Sequence, residues 1–310
     1  MTTLDGTHSG ADVVGRSKPS SQGIRFAMLL VPRRIRNTLR LLMLYLLAGL
    51  VALICLGPVV WMAKTSFETP EFIRSAQIQF WPIKFTLENY HNVLSNPHAM
   101  IGRAMLNSLT VASAATLLNL LITTSAGYAM SRFDFKGKFA LGIYLLMIYM
   151  IPRTLMLIGM FVMLARLRLI NKLLGLVVVY AAAGTTLSIW WLKGYFDSIP
   201  VELEEQAMID GCSRVSALRR IILPLSMPAV VAVGLFQFVD CWNEFMIALT
   251  IIQSAELRML PVQIVFFMGI QRVEWGPVMA FSMIVAVPAI ILFSFAQRNM
   301  VSGLMSGFGK

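Results

Sequence analysis

Charge is the first thing this sequence is short of. Asp, Glu, Lys and Arg make up 13% of its 310 residues and apolar residues 57%, and the mean hydropathy is +0.74. Soluble domains carry about a quarter charged residues, so too little charge is present to cover a soluble globule of this size. Cysteine is scarce too. Cys55, Cys212 and Cys241 form an odd set with neither a disulfide framework nor the spacing of a zinc site, and they read as small apolar fillers. Histidine is limited to His8, His91 and His98, all outside the long apolar runs. That removes the base an intramembrane hydrolase would need beside its nucleophile. A phosphate loop is also missing: the nearest string, Gly303 to Lys310, has the wrong spacing, and no Ser or Thr follows the lysine.

What is present is a series of long apolar runs. Leu41 to Ala63, Ala104 to Ser131, Leu173 to Leu192 and Trp275 to Gln297 carry no charge, Phe139 to Ala165 is interrupted only by Pro152-Arg153, and Ser226 to Gln253 contains Asp240 and Glu244. Runs of about 20 apolar residues match a hydrocarbon core roughly 30 Å thick. In lipid the backbone must satisfy its own polar groups, so such runs are helices. The expected fold is an all-α polytopic membrane protein. Its six transmembrane helices fall at about 41–63, 104–130, 139–164, 173–192, 227–252 and 275–297, with a helix-turn-helix between spans 4 and 5. Residues 39–310 form this domain. Residues 1–38 read as a basic cytoplasmic segment, largely disordered because its first two dozen residues have little apolar content. The first run is longer than a signal-peptide core and continues through Pro58 and Trp61, which predicts a retained signal-anchor span.

The net charge of +11 reads as a topology signal. Arg16, Lys18, Arg25, Arg33, Arg34, Arg36 and Arg40 precede the first span; Arg132, Lys136 and Lys138 follow the second; Lys193, Arg214, Arg219 and Arg220 follow the fourth. The positive-inside rule puts these on the cytoplasmic side with both termini, near anionic lipid. Arg166, Arg168 and Lys172 are outer exceptions. No nucleic-acid motif accompanies the charge, so nucleic acid is not an expected partner.

Three places carry unusual polar groups. Pro152 removes a backbone donor from the third run. Arg153 beside it either faces a cavity or partner, or marks a helix break from which it snorkels. Asp240, Asn243 and Glu244 fall at i, i+3 and i+4 of the fifth run and would share one helical face, either lining a pathway or hydrated at the outer interface. The segment Thr65 to Arg103 holds Trp81 and Tyr90, suited to a membrane interface, and Thr86, a candidate N-cap for a helix starting near Leu87.

Beyond these three lies a charged island between the fourth and fifth runs. Pro200 and Glu202, Glu204 and Glu205 suit a helix start, Gly211 a left-handed helix end, and Ser213 the cap of a second helix through Arg214 to Arg220. Pro224 and Pro228 then lead into the next run. Taken alone, the island is either an amphipathic loop on the membrane surface or a wedge for a partner's groove.

Glu205-Gln206-Ala207-Met208-Ile209-Asp210-Gly211, then nine residues, then Ile221-Ile222-Leu223-Pro224, resembles the "EAA" loop of permease subunits of binding-protein-dependent ABC importers. So do Gly127 to Gly137, Met150-Ile151-Pro152, Ile189 to Pro200, Trp242-Asn243-Glu244-Phe245 and Gln297 to Leu304. Together they resemble the carbohydrate-uptake, MalG-like subfamily from about residue 38 onward. Gln206 and Cys212 depart from the small residues usual at those places.

The resemblance implies a permease half in a bacterial inner membrane, importing a sugar or sugar derivative. Its partners would be a second homologous permease subunit, two copies of a cytoplasmic ATPase and an extracytoplasmic solute-binding protein. It implies no enzyme activity and no cofactor on this chain, ATP and Mg being used by the ATPase. Glu205, Ala207, Asp210 and Gly211 would form the ATPase contact, and Ile221, Leu223 and Pro224 would fix the return to the membrane. Arg153, Asp240, Asn243 and Glu244 remain candidate pathway residues. The competing class is an ion-coupled secondary carrier using Asp240 and Glu244 as relays.

Overall fold

The computed structural model describes residues 33–74, 81, 84–97, 99–268 and 273–307. The expectation of a disordered N-terminal segment falls mostly on residues 1–32, outside the described residues. The chain divides into two compact units, residues 1–60 and 61–310. Every regular element among the described residues is helical.

The described part of the first unit is one helix. This helix, α1 (Arg33–Ser66), carries Pro58 without ending there, and only its last residues belong to the second unit.

The second unit continues with a short helix, α2 (Pro70–Ile73), and then α3 (Glu88–Ser95). Thr86 Oγ1 accepts the Glu88 N–H at 3.1 Å, so the residue singled out as a cap does serve the first turn, from one place further out. Asn89 is buried and donates to the carbonyls of Ser66 and Glu68. It satisfies acceptors that the end of α1 leaves free.

The long helices follow: α4 (Ile101–Arg132), α5 (Lys138–Met150), α6 (Arg153–Arg166) and α7 (Leu173–Ser198). The island is α8 (Glu202–Ile209) and α9 (Arg214–Leu225), followed by α10 (Met227–Asn243), α11 (Met246–Ile251), α12 (Leu260–Met268) and α13 (Trp275–Gly307). The core lies where α4 packs along α7 and α10 lies across both. It buries Val111, Ala112 and Ala115 against Leu176, Val179 and Tyr180, with Phe238 stacked on Trp242. Small residues let α7 and α10 approach closely: a Cβ at Gly184 would overlap the carboxamide of Gln237.

Four described helices are long and apolar enough to cross a membrane, and the number reaches six only if each of two bent pairs is one span. The third run is not continuous. It breaks at Ile151-Pro152 into α5 and α6, bent by 98°. Proline disfavours the helical conformation for the residue before it, and Ile151 is extended with ψ 124°. The fifth run also departs from one helix over 227–252. Helix α10 stops at Asn243, Glu244 is extended with ψ 127°, and α11 resumes at Met246.

Candidate functional site

The island folds as read, with one addition. Helix α8 has Glu202, Glu204 and Glu205 in its first turn, where acidic groups complement the helix dipole. It ends at Asp210, and Gly211 takes φ +90°, a conformation costly for residues with a Cβ. Ser213 caps α9, its Oγ accepting the Ser216 N–H at 3.3 Å. The addition lies in α9, which widens to a π-turn over Leu218–Ile222, where the Leu223 N–H donates to Leu218 O. Proline in a helix clashes with the carbonyl four residues back, and this widening lies directly before Pro224. A bend of 78° then leads into α10. Ser226 Oγ donates to Ile222 O at 2.6 Å at this bend.

The island has an inner and an outer edge. Glu205, Asp210, Gly211 and Pro224 are exposed, as are Ile209 and Val215, at 84% and 75%. Ile221 and Leu223 are half-buried. Ala207 is buried. It therefore serves as a small spacer inside the island rather than on the contact edge read for it from the sequence.

Glu204, read from the sequence only as part of an acidic helix start, is buried. Its Oε2 accepts the Tyr128 hydroxyl at 2.8 Å, and its Oε1 accepts Arg132 Nε at 2.5 Å. Arg132 also donates to Ile199 O at 2.9 Å. Both side chains of the pair are 5% exposed, so this is a buried, multiply bonded pair of the strong kind. Tyr128 meets Phe196 and Phe133 edge-on, and Arg214 lies over the Phe133 ring. Helical spacing held the signal: Glu204 shares a face with Ala207 and Met208, while Glu205 points about 100° away.

A second polar cluster lies among α6, α7 and α10. Arg153 opens α6 and its Nη1 donates to Asp240 Oδ2 at 2.7 Å. The helix breaks at Pro152, and Arg153 lines a cavity of about 220 Å³ with Met156, Met160, Met163, Ala182 and Thr186. The shared face read for Asp240, Asn243 and Glu244 is corrected, because Glu244 leaves the helix. Its carboxylate accepts the N–H groups of Ile247 and Ala248 at 2.8 and 3.0 Å and the Tyr180 hydroxyl at 2.7 Å, capping α11. Asn243 is exposed and bonds only to Val239 O of its own helix. Gln237, also unflagged in the sequence, is buried and donates to Tyr180 O at 3.0 Å.

The family of binding-protein-dependent transport system inner membrane components matches residues 103–304. The chain belongs to this family. It is 39% identical over 87% of its length to a trehalose/maltose transport system permease protein of Thermococcus litoralis, covering 97% of that protein. It is 33% identical over 82% of its length to a diacetylchitobiose uptake system permease protein of Streptomyces coelicolor, covering 91%, and 32% identical over 91% to a galactooligosaccharides transport system permease protein of Bacillus subtilis, covering all of it. Its fold matches a chain of a bacterial ABC transporter that imports alginate, with TM-score 0.73 and 19% identity over 87% of this chain and 98% of that one. As a permease of this family the protein is a multi-pass membrane transport component, and the ion-coupled carrier reading gives way. The carboxylates that reading needed, Asp240 and Glu244, already hold partners.

Proposed function

We propose that this chain is one permease half of an ATP-driven importer for a sugar or sugar derivative, and that the turn over residues 199–224 docks on a separate ATPase chain. The carrying observation is the division of that turn. Its inner edge is fixed through Glu204, while Glu205, Ile209, Asp210 and Val215 stand outward with Gly211 at the tip. An apolar tip flanked by carboxylates suits a groove with basic walls, and rigid anchoring suits the transmission of force by bistable packing.

The partners in this reading are two copies of the ATPase, a second homologous permease subunit and an extracytoplasmic solute-binding protein. ATP and Mg belong to the ATPase, and this chain holds no cofactor. Both termini lie on the cytoplasmic face with the turn, in line with the basic flanks. Arg153, Asp240, Asn243 and Glu244 belong to the pathway region, with Asn243 the most accessible of them. The sugar class follows relatives whose names specify trehalose/maltose, diacetylchitobiose and galactooligosaccharides.

The test is photo-cross-linking from positions 205 and 210 in native membranes. Capture of a nucleotidase is expected, and its repeated absence would remove the docking role. A thermal-shift screen of the cognate binding protein against a sugar panel identifies the solute.

A further inference from the structure

Two neighbouring carboxylates of α8 point about 100° apart, and only one of them is free. Glu205 is exposed. Glu204 is enclosed by Tyr128 and Arg132, which sit on the last turns of α4, 76 and 72 residues away in sequence. Two further contacts tie the same end of α4 to α7. Arg132 bonds Ile199 O just beyond α7, and Ser131 Oγ donates to Asp197 Oδ1 at 2.6 Å; within α7 itself, Lys193 pairs with the same Asp197. The last turn of α4, the last turn of α7 and the first turn of α8 are thus one hydrogen-bonded block. Such a block is weak evidence for stability, because an apolar contact of the same shape stabilises about as well as a buried ion pair. What the charged, directional contacts add is a fixed angle between α8 and α4.

We propose that Glu204 is a positioning residue that makes α8 move as one body with α4, so that displacement of the docking turn reaches the membrane through Arg132. The inference rests on the docking role proposed above. It adds that the path of force is the second apolar run, joined by side chains, and not only the covalent links to α7 and α10. It requires the contact to stay closed throughout the transport cycle.

The experiment uses the whole transporter in proteoliposomes, with uptake measured per ATP hydrolysed. Arg132→Cys and Glu204→Cys are introduced together into a chain carrying Cys55→Ser, Cys212→Ser and Cys241→Ser, then bridged by a bifunctional thiol reagent. Before bridging, uptake per ATP is expected to fall roughly tenfold or more, since the contact that fixes the angle between α8 and α4 is lost, while the ATPase still co-purifies. Bridging is expected to restore most of it. A bridged complex that retains its ATPase yet stays as inactive as the unbridged one overturns the proposal and leaves the docking role standing. Failure of the ATPase to co-purify even with the native chain removes the docking role and this inference together. Tyr128→Phe deletes one hydroxyl and serves as the arm least prone to misfolding. It should lower uptake per ATP, and an unchanged ratio counts against the block as a transmission element.

Discussion

Arg153 and Asp240 meet at 2.7 Å although 87 residues separate them. The first opens α6 and the second lies near the end of α10. A cation at a helix N-terminus is poorly placed against the helix dipole, and Asp240 neutralises it. The side chains are 38% and 32% exposed within the chain, so the pair is less enclosed than the one formed by Arg132 and Glu204.

Removing one partner therefore matters more than removing both. Asp240→Asn should lower the stability of the solubilised complex by roughly 1–2 kcal/mol, less than the value for a fully buried pair. Arg153→Met with Asp240→Leu should recover most of it. A thermal-shift series on the three complexes measures this, and equal losses for single and double variants would contradict the pairing.

Gly211 has φ +90° and open space where a Cβ would stand. Strain there comes from the backbone alone. Gly211→Val should leave the chain inserted but abolish ATP-driven uptake. Gly211→Asn, which tolerates the left-handed region better, should keep a measurable part of it. Immunoblots of membranes and labelled-sugar uptake check the pair; normal uptake by the valine variant rules out a role for the tip geometry.

Adjacent residues of the fifth run should behave oppositely. Asn243 is exposed and bonds only to its own helix, so Asn243→Leu should change stability by less than about 0.5 kcal/mol while altering uptake rate or sugar preference. Glu244→Ala frees two N–H groups and a tyrosine hydroxyl and should destabilise by about 1–3 kcal/mol. Melting curves beside transport assays separate the two effects; similar melting losses in both variants would defeat the contrast.

Gly184→Ala forces a methyl group into the Gln237 carboxamide. The expected loss is about 1–3 kcal/mol from overpacking. Because the clash lies with one side chain, Gln237→Ala in the same chain should relieve part of it, giving a non-additive double-mutant cycle. Strict additivity of the two losses would show that the helices do not approach there as described.

The apolar runs made the helical class and most of the long helices legible, because lipid leaves the backbone no other option. Local chemistry made Gly211, Ser213 and the acidic first turn of α8 legible as well. The hidden parts are long-range. Nothing in the sequence near Asp240 points to Arg153, and Glu204 looks equivalent to Glu205 until α4 is packed beside it. Glu244 was misread because helical spacing was carried through a position where its carboxylate instead caps the following turn. Ala207 was assigned by motif to a contact edge, whereas its small size serves packing inside the chain.

The break at Ile151-Pro152 bears on how the protein is made. Helices α5 and α6 have 13 and 14 residues, about 20 Å each, and neither alone matches a hydrocarbon layer of roughly 30 Å. A translocon that sorts nascent segments by length and greasiness would release each half as an incomplete stop-transfer sequence. The right-angled pair packs instead against later parts of the chain, α5 against α7 and α6 against α11. A half-length pair of this kind depends on those later helices to hold it in a bilayer, which ties its placement to the order in which the chain is made.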